Sequence, residues 1–123
     1  MLKIISRFKE EHLALGQILT DISKTDMHTA ERKKLFTELR TKLTAHTVSE
    51  IEELYDTANE HSKLDLIDMV HAYRKVMGIM DAIIEVDFEM DSDFNYIRDS
   101  LQLRIALEES IMSQVRELLP EKG

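Results

Sequence analysis

The chain has no cysteine, one proline and three glycines among its 123 residues. Without cysteine there is no disulfide, no thiolate metal site and no sulfur nucleophile. With so little proline and glycine, tight turns and short strands have few of their usual residues, and long helices are the natural reading. No apolar run is long enough to span a bilayer. The stretch Met1-Leu2-Lys3-Ile4-Ile5-Ser6-Arg7 is broken by charge and lacks a signal-peptide pattern, so a soluble, cytoplasmic protein is expected. Basic residues are also scarce: 16 Lys and Arg stand against 24 Asp and Glu, a net charge of −8. Nothing in that balance would neutralise phosphates, which speaks against a nucleic-acid partner. There is no glycine-rich phosphate loop, no nucleophile with a visible base and no HExxH pair, so no enzymatic activity is expected.

What the chain does have is 43% apolar and 33% charged residues, the balance of one globular domain over residues 1–123. Four helical patterns can be read, at about residues 2–23, 30–58, 62–88 and 94–119, with Pro120 as a stop signal. The first carries Ile5, Phe8, His12, Leu15, Leu19 and Ile22 in steps of three and four; the second carries Leu35, Leu39, Leu43, His46, Glu50 and Leu54 on one face. Asp26 or Thr29 is placed to cap the second helix. Short connections between long helices imply antiparallel neighbours, so an all-α, up-down-up-down four-helix bundle is expected.

Several polar residues fall on these apolar stripes. His12 lies a turn from Phe8 and Leu15, and His46 and Glu50 lie between Leu43 and Leu54. A carboxylate at such a position would be buried, and a buried charge persists only if paired or metal-bound. Two readings follow: ligands of a metal ion, or a His–Glu hydrogen bond that fixes helix register. The third helix is less decided. Leu64 and Ile67 align with His71 as a core position, whereas Tyr73, Met77, Met80 and Ile84 put the stripe on Val70. On an ideal helix His71 lies about 140° from Leu66, on the polar side, and only a one-residue π-bulge would bring it inward. Tyr73 faces inward, either as a phenolate ligand to ferric iron or as core packing. His28 and His61 fall at breaks between helices, where a solvated or capping role suffices.

The fourth helix repeats the frame of the second. Leu39, Leu43, Glu53 and Leu54 stand at −7, −3, +7 and +8 from His46, and Leu103, Leu107, Glu117 and Leu118 stand at the same offsets from Ser110. Where the second helix has His46 and Glu50, the fourth has Ser110 and Gln114. These are poor ligands for iron or zinc, but they can hydrogen-bond a neighbouring group from the inner edge of the helix.

With these motifs the sequence resembles a hemerythrin-like (HHE cation-binding) domain over nearly its whole length. The resemblance implies an up-and-down bundle holding a non-haem di-iron centre, with bridging carboxylates and terminal histidines. The matching segments are Glu11-His12, His46 with Glu50 and then Leu54-Tyr55, and Ala106-Leu107-Glu108-Glu109-Ser110 followed by Gln114 and Leu118-Leu119-Pro120. His71 is the nearby candidate for the third-helix ligand, and Lys75 stands where a second would be. The fourth helix keeps the family frame but has lost its two ligands. The resemblance therefore implies one reduced iron site rather than a full di-iron centre. His12 and His46 would be terminal ligands, Glu50 the carboxylate and His71 a fourth ligand, with Tyr73, Ser110 and Gln114 forming the rest of the pocket. Sensing or binding of iron, oxygen or nitric oxide is the expected role.

The alternative is a metal-free interaction module. Val76, Ile79, Ile83 and Val86 widen the apolar arc of the third helix, and Met69, Met77 and Met80 add adaptable surface, as a homodimer seam would need. A phosphotransfer bundle fits poorly, because its histidine must be exposed and His46 faces the core.

Overall fold

The computed structural model of the chain describes residues 2–54 and 60–118, with a few side chains, chiefly toward helix ends, outside that set. Four helices follow one another: α1 (Leu2–Ser23), α2 (Ala30–Leu54), α3 (Glu60–Val86) and α4 (Asp93–Leu118). Each packs on the next and α4 closes back on α1, giving the expected all-α bundle. No helix among the described residues is long and apolar enough to cross a membrane. The expected extension of the second helix to residue 58 and the stop at Pro120 lie outside the described residues. Glu60 and His61, read as part of a break, belong to the first turn of α3.

The spacing of buried residues explains the packing. Phe8, His12, Leu15, Leu19 and Ile22 are buried on α1, and Arg32, Phe36, Leu39, Leu43, His46 and Glu50 on α2, in alternating steps of four and three. Phe36, rather than its neighbour Leu35, fills the core at that level of α2. α3 buries Met69, Val76, Met80 and Ile83. Of the wide arc read as a docking seam, Met69, Val76, Met80 and Ile83 are interior, Met77 and Ile79 are half-buried against the core, and Val86 is exposed. α4 buries Ile97, Leu101, Arg104, Glu108 and Met112. Each buried aliphatic or aromatic side chain contributes roughly 1.5–3 kcal/mol, set against an ordering cost of about 1–2 kcal/mol per residue.

The core divides along the bundle axis. One half is apolar, built from Leu15, Ile18, Leu19, Ile22, Phe36, Leu39, Leu43, Val76, Met80, Ile83, Ile97 and Leu101. The connections at that end are tied by Arg32. Its guanidinium meets Glu89 as a buried pair (Nε to Oε1 2.9 Å, Nη2 to Oε2 2.6 Å) and donates to the Ile22 and Thr25 carbonyls at 3.0 and 2.9 Å. One side chain thus joins the α1–α2 turn to the α3–α4 turn. Of the two cap candidates Thr29 does the work, accepting from the Arg32 backbone N–H at 3.3 Å. α3 ends with Asp87 in the left-handed conformation (φ 55°) and Phe88 N–H donating back to the Ala82 carbonyl at 3.0 Å, which closes the helix end. The other half of the core is polar.

Candidate metal centre

Antiparallel packing brings His12 of α1, His46, Thr47 and Glu50 of α2, and Arg104 and Glu108 of α4 into one buried cluster. His12, His46 and Glu108 each direct one ligand-type atom into it, and these atoms all lie within 4.8 Å of one another. Phe8 meets the His46 ring edge-on at 5.1 Å, and His12 meets it at 5.0 Å. An apolar wall on one side therefore holds the imidazoles in place.

Glu108 is the hub. Its Oε1 accepts from His46 Nε2 in a short hydrogen bond and lies 3.4 Å from His12 Nε2. Its Oε2 accepts from Arg104 Nε at 3.1 Å. The same guanidinium donates from Nη2 to Thr47 Oγ1 at 2.6 Å and lies 3.6 Å from Glu50 Oε2. Glu50 Oε2 is also 3.6 Å from His46 Nε2. The outer nitrogen of His46, Nδ1, bonds Glu11 Oε1 at 2.5 Å. A carboxylate on the far nitrogen of an imidazole fixes ring orientation and raises its basicity, an arrangement that recurs behind metal-ligating histidines.

Charge in this enclosure is unevenly distributed. Burial pushes the Glu50 carboxyl up to about 9, assisted by the hydrogen bond and charge of Glu108 and only partly opposed by Arg104. Burial would raise Glu108 too, but the bonds from His12, His46 and Glu50 and the charge of Arg104 hold it well below the usual carboxylate range. Burial alone would lower His46; its bonds to Glu108 and Glu11 outweigh that and raise it. Without a metal, Glu50 is thus a neutral acid beside an ionised Glu108, and protons sit on the atoms that a cation would take.

The donor set fits one metal ion. No N–H or hydroxyl of another residue donates to either oxygen of Glu50, and His12 Nδ1 is buried without a hydrogen-bond partner. Unsatisfied polar atoms at such depth are costly unless something completes them. Two imidazoles and one or two carboxylates are ligand types that could hold a divalent transition-metal ion. The 3.4 Å and 3.6 Å separations also resemble the spacing of two ligands on one ion, each bonded at about 2.0–2.2 Å.

Of the residues singled out from sequence, His12, His46 and Glu50 all lie in the buried cluster, Glu50 through His46 rather than His12, and two others lie apart from it. α3 is a continuous α-helix with no bulge, and His71 stands on its exposed side. Ser110 is exposed as well, and Leu103, one of the apolar markers that put Ser110 inside, is 64% exposed. The repeated frame of α2 and α4 is real in sequence but turned in space: the inner row of α4 runs through Ile97, Leu101, Arg104, Glu108 and Met112. The side chain of Gln114 lies outside the described residues. Tyr73 is half-buried; its hydroxyl pairs with Thr44 Oγ1 at 3.1 Å, and its ring lies under the Arg104 guanidinium, 5.8 Å from centroid to carbon. It borders the cluster through Arg104. Sequence reasoning did not place Arg104 or Glu108 in the cluster. The available signal was their four-residue spacing on the row shared by Leu101 and Met112.

No known protein family, curated protein or solved structure matches the chain.

Proposed function

We propose that this bundle binds a single non-haem metal ion, ferrous iron by preference, in the manner of a hemerythrin-like domain. His12, His46 and Glu108 would hold the ion, and Glu50 would join them on losing its proton. The observation that carries the reading is Glu50, a fully buried carboxyl that no N–H or hydroxyl donor reaches, set beside the His46 imidazole and a second buried carboxylate, Glu108. When bound, ferrous iron supplies an electron-rich centre for small diatomic molecules, so oxygen or nitric oxide is the ligand class and binding or sensing the role. The protein's own contributions are distinct. Glu11 orients His46, Phe8 packs on its ring, and Arg104 holds Glu108 from behind.

A second reading is a metal-free bundle in which the Arg104–Glu108–His46 network serves only to fix helix register. The bonds of Arg104 to Glu108 and Thr47 favour it, because they form without any ion. Metal content separates the two readings. Protein purified without chelator and loaded anaerobically with ferrous iron is expected to retain iron, and His46→Ala to lose it while staying helical. Equal iron in both would sink the metal reading.

A further inference from the structure

Glu108 divides its two oxygens between two kinds of group. Oε1 faces the imidazoles of His12 and His46, while Oε2 is held by the Nε–H of Arg104. Glu50 lies between the same groups, its Oε2 3.6 Å from His46 Nε2 and 3.6 Å from Arg104 Nη2. A carboxylate with one oxygen on each of two cationic positions is a bridging carboxylate, and here one of those positions is filled by a side chain. Arg104 is itself buried, and Thr47 Oγ1 fixes its Nη2 at 2.6 Å, so the guanidinium cannot swing aside without breaking a buried network.

Granting the metal reading above, we infer that Arg104 is the built-in second cation of this centre: the site takes one divalent ion and excludes a second. Charge bookkeeping supports this. The two buried carboxylates balance one divalent ion and Glu11, on the outer nitrogen of His46, balances the guanidinium, so a further divalent cation would leave the buried cluster two charges positive. Arginine suits the role because it stays ionised at any working pH and its planar fork reaches two carboxylates at once. The same charge also weakens the hold on the one ion, through Coulomb repulsion across Glu108.

Zinc binding to the full chain, followed by calorimetry and by elemental analysis, tests the inference. Wild-type protein is expected to take up about one zinc per chain. Arg104→Gln, which keeps a donor for Glu108 but drops the charge, is expected to bind that zinc at least about tenfold more tightly. Arg104→Glu is expected to admit a second zinc. Should Arg104→Glu fail to fold without metal, Arg104→Gln still decides the matter. Two zinc ions in the wild type, weaker or unchanged affinity in Arg104→Gln, or one zinc only in a folded Arg104→Glu would each overturn the role assigned to Arg104 while leaving a metal site standing. No zinc uptake by the wild type would instead remove the metal reading on which the inference rests.

Discussion

Replacing Glu50 by Gln should stabilise the metal-free protein, and by an amount that grows with pH. The native state holds the Glu50 proton up to about 9, whereas an unfolded chain releases it near 4.5. Between those values the folded state binds more protons, so wild-type stability falls as pH rises through this window. Each unit above 4.5 costs about 1.4 kcal/mol, so the cost is about 1 kcal/mol at pH 5 and about 4–5 kcal/mol at pH 8. Gln has nearly the same shape, keeps a donor for Glu108 and does not titrate, so the variant escapes this cost. Urea denaturation of chelator-treated wild type and Glu50→Gln at pH 5 and pH 8 measures it. The expected result is a stability gap in favour of Gln that widens by about 3–4 kcal/mol between the two values. A gap independent of pH, or a Gln variant less stable than wild type at pH 8, would refute the reasoning.

Other consequences concern both ends of the bundle. Glu89→Ala strands Arg32 without its buried partner and should cost about 3–5 kcal/mol in urea titration; a loss below about 1 kcal/mol would show that the pair does not tie the two turns. Glu11→Gln should leave the fold intact but weaken metal affinity roughly 10–100-fold, because His46 loses the carboxylate that orients it. Metal uptake should release protons from Glu50 and His46, so affinity should climb from pH 6 to pH 8. Calorimetry in buffers of different ionisation enthalpy reads that release directly, and a heat independent of buffer would count against it.

The fold was legible because the apolar residues of all four helices recur at three and four, with few residues able to interrupt them. His12, His46 and Glu50 were legible for a related reason: each is a polar residue at a position that helical spacing assigns to the core. Glu108 and Arg104 occupy equally internal positions, but two opposite charges four residues apart look like a solvated surface pair. In this bundle they neutralise one another inside, with Arg104 donating to Glu108 at 3.1 Å. The matching of α2 with α4 then favoured Leu103 and Ser110, and only packing against α1 reveals that this frame faces outward. For His71 the ideal helix was the better guide, since α3 runs without a bulge and leaves it exposed.

The most direct test of the buried two-histidine, carboxylate centre is iron content after anaerobic ferrous reconstitution, compared across wild type, Glu108→Gln and Ser110→Ala. Wild type and Ser110→Ala should each retain about one iron per chain, and Glu108→Gln almost none while remaining helical. A folded wild type that retains no iron, or a Glu108→Gln variant that retains as much as wild type, would contradict it.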